Sequence, residues 1–199
     1  MITKDISNFY HFYPSNVTLV GARRGSKVNF MAAAWNTGLS FHPPLFGVSI
    51  SQKRFTHDMI VDSQEFTCNF LPIEELDIIH GTGRTSGRDY DKVESFSIPL
   101  EDPEVISCPT IRSAHAAYEC RLAHHYPIGD HNLFVGEVVA VHYHKDVITE
   151  KKLLNPEKID FTMYLGSNTY ISTDSDTVAL MPAEIEIPLT RGLRSHPKY

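Results

Sequence analysis

Asn29-Phe30-Met31-Ala32-Ala33-Ala34-Trp35-Asn36-Thr37 (NFMAAAWNT) is the stretch from which the fold can best be inferred. It has the composition of a β-strand, but its three consecutive alanines leave it almost without side-chain bulk. Small residues on a strand indicate that another group approaches the backbone closely. A flat ring system would fit such a surface, because main-chain N–H and C=O groups can bind its polar edge. A tightly packed strand pair or a domain contact is the alternative.

Apolar, β-rich runs separated by turn residues lie on both sides of this stretch. Two of them, 16–22 and 27–36, are close enough in sequence to form a hairpin. Many modest strands with few short helices indicate a β-barrel or sandwich with helical inserts. The predicted elements are strands over 16–22, 27–36, 45–51, 65–70, 116–124 and 133–142, helices over 55–61 and 74–80, and a polar glycine-rich loop over 81–91.

Composition and charge narrow the class of protein. The chain has 199 residues, 42% of them hydrophobic, which predicts one domain over 1–199. The formal net charge of −6, with no run of Lys or Arg longer than two, argues against a nucleic-acid partner but allows a local basic pocket. Neither a signal peptide nor a membrane span is recognisable, so we expect no membrane partner and a cytoplasmic location. Cys68, Cys108 and Cys120 are too scattered to indicate a disulfide framework or a cysteine zinc site.

Ser49-Ile50-Ser51-Gln52-Lys53-Arg54-Phe55-Thr56 combines hydroxyls and two cations between a predicted strand and a predicted helix. A phosphate monoester is nearly doubly ionised at neutral pH. Arg, Lys, hydroxyl groups and the free N–H groups of a helix start all hold it well. Strand alternation places Ser49 and Ser51 on one face. The stretch therefore predicts a phosphate site, and a solvated turn with two surface cations is the alternative.

A third polar stretch, Gly83-Arg84-Thr85-Ser86-Gly87-Arg88-Asp89-Tyr90-Asp91-Lys92, carries cations and hydroxyls on a loop that its glycines allow to bend. Such a loop could close over a bound anion or polar chain. An ordinary exposed loop is the alternative.

Eleven histidines raise the question of a metal site. None of them occurs in an HExxH motif or beside a paired carboxylate or a cysteine partner, so we expect no metal. A nucleophilic triad is equally unsupported, because no GxSxG turn is present. The histidines that cluster in sequence are His124, His125, His131, His142 and His144.

Taken together, the three stretches resemble the flavin reductase-like family of FMN-binding split barrels, in particular its flavoredoxin-like branch. The similarity runs in order over roughly 14–170, which we take as the core, and residues from about 174 to 199 form a C-terminal extension without a match. The residues that carry it are Val17–Val20, Asn29-x-Met31, Ala34-Trp35, Pro43-Pro44 with the run to Ser51, Arg54-x-Thr56, Glu65-Phe66-Thr67-x-Asn69, Ser86-Gly87-Arg88, Asp91-Lys92, Glu119–Leu122 and Gly129-Asp130-His131-x-Leu133–Val138.

The resemblance implies a mainly β, Greek-key-like split barrel that is homodimeric and binds FMN at or near the subunit interface. The strand Met31–Thr37 would lie along the isoalloxazine ring. His131 would lie near the open flavin face, where a nicotinamide could stack, or would lock its turn by hydrogen bonding to Asp130. The residues implied in cofactor binding are Asn29, Met31, Ala33, Ala34, Trp35, Asn36, Thr37, Ser49, Ser51, Lys53, Arg54, Thr56, Ser86, Gly87, Arg88 and Lys92.

Two functions follow from this resemblance. The first is an NAD(P)H-dependent FMN reductase, in which NADH or NADPH gives a hydride to flavin N5 and backbone donors or Lys92 stabilise the reduced ring. The second is a flavoredoxin-like electron carrier with permanently bound FMN and a protein redox partner. Trp35 stands where many flavin reductases have small hydroxyl residues, and this favours the flavoredoxin-like branch.

Overall fold

A computed structural model describes residues 9–179 of the chain. Residues 1–8 and 180–199 lie outside it, and with them most of the expected C-terminal extension over 174–199. No helix within 9–179 is long and apolar enough to cross a membrane. A single domain over 1–199 stays a prediction.

Strands dominate the described chain, as expected for a mainly β protein. Three α-helices, α1 (Phe55–Ser63), α2 (Leu76–Arg84) and α3 (Lys92–Ser95), and three 3₁₀ turns, Ile73–Glu75, Lys145–Val147 and Ser175–Thr177, accompany them. The strands are β1 (Ser15–Asn16), β2 (Thr18–Arg24), β3 (Lys27–Ala33), β4 (Asn36–Phe41), β5 (Pro44–Ser51), β6 (Glu65–Phe70), β7 (Leu100–Glu101), β8 (Thr110–Ile111), β9 (Ala116–Ile128), β10 (His131–Tyr143), β11 (Met163–Gly166) and β12 (Thr169–Ile171).

Seven strands form the main sheet in the order β3-β2-β6-β9-β10-β5-β4. Every neighbouring pair is antiparallel. The β9–β10 hairpin closes over a tight turn, since Ile128 pairs with His131 and Gly129 has a φ of 61°. A positive φ of this kind is what a two-residue hairpin turn requires. The turn places His131 opposite Ser51 on β5, at one end of the sheet.

The core lies on both faces of this sheet. One cluster packs α1 against the sheet through Met59, Ile60, Phe66 and Phe134. The second lies under α2 and includes Leu19, Phe30, Ile79 and Ile111. α1 packs on β2 and β3, whereas α2 packs on β3. The start of α1 and the end of α2 therefore meet at β3, which is an edge strand of the sheet.

The predicted strand over 27–36 is too long, because β3 ends at Ala33 and β4 begins at Asn36. The Asn36 amide donates to the carbonyls of Asn16 and Ala33, at 2.9 and 3.0 Å, and so satisfies backbone groups at the break. The main-chain N–H of Ser49 donates to the Trp35 carbonyl. The break therefore turns the chain from one edge of the sheet to the other.

The glycine-rich loop predicted over 81–91 is also partly wrong, since α2 continues to Arg84. Gly81 is required there by a close approach, because a Cβ on it would overlap the ring of Phe96. Glycine in this helix thus serves packing rather than a turn. The hairpin of β11 and β12 was not predicted from the sequence.

Candidate functional site

A cleft of about 160 Å³ lies where the start of α1, the end of α2 and the loop before α3 meet above β3. Segments that are distant in sequence build it, and all of its lining residues except Thr82 belong to the stretches 29–37, 49–56 and 83–92. Its lining consists of Asn29, Met31, Ala32, Lys53, Arg54, Phe55, Thr56, Thr82, Gly83, Thr85, Ser86, Gly87 and Lys92.

The first turn of α1 opens into this cleft. Arg54 is the N-cap residue, in an extended conformation, and its side chain makes no capping hydrogen bond. A helix start carries partial positive charge, and its first N–H groups lack partners within the helix. Lys53 and Arg54 add two full charges at the same point. This combination favours a bound anion such as a phosphate.

Asn29 and Thr56 form the floor of the cleft. Asn29 Nδ2 donates to Thr56 Oγ1 over 2.7 Å, and both residues are buried. Gly87 lies directly against this pair, since a Cβ on it would overlap Asn29 Oδ1. The loop can therefore approach the floor only because residue 87 is glycine.

Lys92 is buried beneath the cleft, with 3% of its surface exposed. Its ammonium group donates to the carbonyls of Phe30, at 2.9 Å, and Thr82, at 2.7 Å. Burial, with a smaller contribution from the Arg54 charge, lowers the pKa of Lys92 to about 8. An anion in the cleft would favour the charged form of this lysine.

Arg88 does not line the cleft, although it belongs to the same loop. Its guanidinium lies 2.6 Å from Asp58 Oδ2 on α1. This hydrogen bond lowers the pKa of Asp58 below its ordinary value. Arg88 therefore ties the loop to α1, and its predicted role in cofactor binding stays a prediction.

A second cavity of about 170 Å³ continues from the cleft along β3. The two share Ala32, Arg54 and Gly83. Its other lining residues are Val17, Ala34, Arg84, Tyr164, Asn168 and Tyr170. Ala32 on β3 and Ala34, which directly follows the strand, have small side chains and leave the surface open here.

A third cavity of about 400 Å³ lies beyond Ala34, at Trp35 and His131. The rings of these two residues are 4.9 Å apart. His131 Nδ1 lies 2.7 Å from Asp130 Oδ1, a contact that lowers the pKa of Asp130. Trp35 Nε1 donates to the hydroxyl of Tyr13 over 3.1 Å. Tyr10, Tyr13 and Tyr164 complete an aromatic wall around this cavity.

Of the sixteen predicted cofactor residues, eight line the first cleft and Ala34 lines the second cavity. Trp35 lies in the third, with His131. Ala33 is buried, and Thr37 donates to the Gly38 carbonyl. Ser49 and Ser51 lie on β5 beside β10. Neither cavity along β3 is lined by Ala33, Asn36, Thr37, Ser49, Ser51 or Arg88, so their contact with a cofactor stays a prediction.

Several lining residues are not among those predicted from the sequence to bind the cofactor. Thr82 and Gly83 fall in the polar glycine-rich loop predicted over 81–91, whereas they lie in the last turn of α2, where Gly83 packs against Ala32 of β3. Tyr164 and Tyr170 come from strands of four and three residues, which are too short to show alternation. The signal that could have indicated them is the recurrence of tyrosines around the polar pair Ser167-Asn168, which forms a turn.

Histidines form no metal centre within residues 9–179, where no group of three or more His, Cys, Asp or Glu is arranged to hold an ion. His142 instead lies 2.6 Å from the buried carboxylate of Glu119. That carboxylate also accepts the main-chain N–H groups of Glu104, Val105 and Ile106. The pair stabilises the loop before β8.

The family model described as "Flavin reductase like domain" matches residues 9–173. A crystal structure of an FMN-binding protein from Thermus thermophilus with bound 1-cyclohex-2-enone is 39% identical, with a TM-score of 0.81 over 90% of this chain and 98% of that one. The reductase component of 4-hydroxyphenylacetate 3-monooxygenase from T. thermophilus is 31% identical over 130 residues, or 65% of this chain and 77% of that protein. The flavoredoxin of Desulfovibrio vulgaris, at 24% identity, shares the fold, with a TM-score of 0.80 over 92% of this chain and 97% of that one.

Proposed function

Because the chain belongs to the flavin reductase-like family and has its FMN-binding split-barrel fold, we propose that it binds FMN in the cleft and the cavity along β3. We further propose that it is an NAD(P)H-dependent flavin reductase. The observation that carries the proposal is the concentration of cations, hydroxyl groups and an uncapped helix start around one small cleft.

The phosphate of FMN fits the first cleft. Lys53 and Arg54 supply charge, and the first turn of α1 supplies N–H groups. Ser86 offers a hydroxyl donor from the opposite wall, whereas the Thr85 hydroxyl donates to the Gly81 carbonyl over 2.8 Å. Lys92 adds a charge from below, where two carbonyls fix its position. Within the described chain, three cations and no carboxylate line the cleft.

The isoalloxazine ring fits the open surface at Ala32 of β3 and at Ala34, which directly follows the strand. A planar ring can lie close to a wall of small side chains, and main-chain groups there can then bind the ring's polar edge. Arg84 and Tyr170 face the same cavity from α2 and β12. They are added here to the residues proposed for flavin binding.

Bound FMN would supply the hydride-accepting centre of the reaction. The chain's own groups orient the ring, exclude water from it and stabilise the negative charge of its reduced form through backbone donors and the Lys92 ammonium. His131 can hold the polar edge of a second ring, because its Nδ1 is fixed by Asp130. Nε2 of His131 has no hydrogen-bond partner among residues 9–179 and can make that contact.

The aromatic cavity at Trp35 is the proposed position of the hydride donor or acceptor. Four aromatic side chains form its walls, which suits a flat ring such as nicotinamide. The related T. thermophilus protein was crystallised with a conjugated cyclic ketone. We therefore infer that small cyclic carbonyl compounds can also occupy this cavity.

A homodimer is part of the proposal. Phe41 on the edge strand β4 is 90% exposed, and Leu39 on the same strand is 45% exposed. Apolar side chains on a free sheet edge are typical of an interface between chains. Sedimentation equilibrium tests this: we expect a dimer, and a monomer at micromolar concentration would contradict it.

The direct experiment is an absorption spectrum of the purified protein, followed by anaerobic mixing with NADH or NADPH. We expect flavin absorbance that either nucleotide bleaches within ordinary turnover times, on the order of a second or less. A protein without flavin that fails to bind added FMN contradicts the proposal.

A flavoredoxin-like carrier with a protein redox partner is the second candidate. The exposed rings of Phe9 and Phe12, at 58% and 57%, lie beside the Trp35 cavity and provide an apolar contact for such a partner. If neither NADH nor NADPH reduces the bound flavin, but a reduced ferredoxin or rubredoxin reduces it rapidly, the carrier function is supported over the reductase.

A further inference from the structure

Three cations surround the ring of Phe55, the first residue of α1. Arg24 Cζ lies 5.3 Å from the ring centroid, Lys27 Nζ 5.0 Å and Arg88 Cζ 5.1 Å. They come from the end of β2, the start of β3 and the loop before α3, so the fold gathers them. Like charges at such short range repel one another, and one aromatic face offsets only part of that repulsion. We refer to Arg24, Lys27 and Arg88 as the Phe55 cation cluster.

Carboxylates on α1 neutralise two of these cations. Arg24 pairs with Asp62 at 2.9 Å, and Arg88 pairs with Asp58 at 2.6 Å. Lys27 has no ion-pair partner within residues 9–179. Three cations and two carboxylates therefore leave one positive charge uncompensated at the cluster.

The cluster adjoins the proposed phosphate site. Phe55 lines the first cleft and follows Arg54 directly, whereas all three cations of the cluster are exposed to solvent. The cleft itself, at about 160 Å³, is small for more than one phosphate group with part of its sugar chain. A ligand with a second phosphoryl group must extend beyond the cleft, and Phe55 both lines the cleft and contacts the three cations.

We propose that the Phe55 cation cluster is a second anion site, which binds the adenylate phosphate of a dinucleotide. This inference rests on the proposed function, because it takes the FMN phosphate in the first cleft as its starting point. A phosphoryl oxygen bound by Lys27 and a neighbouring guanidinium would neutralise the uncompensated charge and relieve the repulsion. Two molecules that take part in flavin reduction carry an adenylate phosphate: FAD and the nicotinamide dinucleotide.

The test compares the wild type with Lys27→Gln and with the control Lys151→Gln, which removes an exposed lysine from a loop after β10. Dissociation constants are measured for FMN and FAD on the flavin-free protein, and for NADPH on the FMN-loaded protein. We expect Lys27→Gln to weaken binding of FAD or of NADPH about threefold to tenfold, the range expected for one exposed charge contact to a phosphate. FMN affinity should stay within about twofold of the wild type, and the control should match the wild type throughout.

The pattern of losses identifies the ligand. A loss confined to FAD assigns the site to the flavin, and a loss confined to NADPH assigns it to the hydride donor. Equal weakening of FMN and FAD would place Lys27 at the first phosphate, and unchanged binding of both dinucleotides would show that there is no second site; either result overturns the inference. Wild-type protein that binds no flavin contradicts the proposed function instead, so the two failures are distinguishable.

Discussion

Replacing Arg54 by alanine should weaken FMN binding strongly with little effect on the fold. Arg54 is exposed, lines both the cleft and the adjoining cavity, and its guanidinium makes no hydrogen bond within residues 9–179. Its donors are therefore available to a ligand phosphate. A hydrogen bond to a charged group contributes about 1.5–3 kcal/mol, so the dissociation constant should rise roughly 10-fold to 150-fold.

Fluorescence titration of the flavin-free protein with FMN measures this change, since flavin emission alters on binding. Arg121→Ala is the matched control, because Arg121 is an exposed arginine on β9 that lines none of the three cavities. Arg54→Lys should lie between alanine and wild type, since lysine keeps the charge but loses the bidentate geometry. Unchanged FMN affinity in Arg54→Ala, with normal unfolding behaviour, would refute the assignment of the phosphate to this cleft.

Three further predictions concern the cleft and the core. Gly87→Ala should lower FMN affinity, and it should lower the free energy of unfolding by about 1–3 kcal/mol, because the new Cβ overlaps the cleft floor. The control Gly38→Ala, where the space is open, should change neither quantity. FMN titration and urea unfolding measure the two effects. FMN affinity should be highest below about pH 8 and fall above it. The pKa of Lys92 is lowered to about 8 in the free protein and a bound phosphate raises it, so binding at high pH must take up a proton. An FMN affinity that stays constant between pH 7 and 10 would contradict this. Glu119→Gln should lower the free energy of unfolding by about 2–4 kcal/mol, since it breaks a buried carboxylate network. The control Glu101→Gln, in an exposed ion pair, should lower it by less than about 1 kcal/mol. Equal effects of the two substitutions in urea unfolding would contradict the prediction.

Local sequence patterns were sufficient for the elements that have strong periodicity or clear turn residues. The strands over 45–51 and 65–70 agree with β5 and β6 closely, and the predicted helix over 55–61 is the first part of α1. The strands over 116–124 and 133–142 were predicted too short, because the β9–β10 pair continues to a two-residue turn at Gly129. Tertiary pairing extends these strands through histidines and tyrosines that carry little strand signal of their own.

The site could be predicted in its parts but not in its geometry. Asn29, Thr56 and Gly87 each stood out locally, yet their contact depends on α1 and the loop closing over β3. The resemblance to the flavin reductase-like family supplied that connection, and the family itself is confirmed by the match over residues 9–173. Lys92 was expected to belong to a flexible loop, whereas it is buried and fixed by two carbonyls.

Aromatic residues of the third cavity show the limit of sequence reasoning. Tyr13 and Tyr164 are far apart in the chain, but their rings meet at 5.5 Å beside Trp35. Nothing in the spacing of tyrosines along the chain indicates such a contact, because β1 and β11 pair over a long separation.

The central claim is that a phosphate-bearing flavin is held by the basic cleft at the start of α1. Parallel titration of the flavin-free protein with FMN and with riboflavin, which lacks the phosphate, tests it most directly. The structure predicts that FMN binds more tightly by at least about tenfold, the contribution of one hydrogen bond to a charged group. Equal affinity for the two flavins would contradict it.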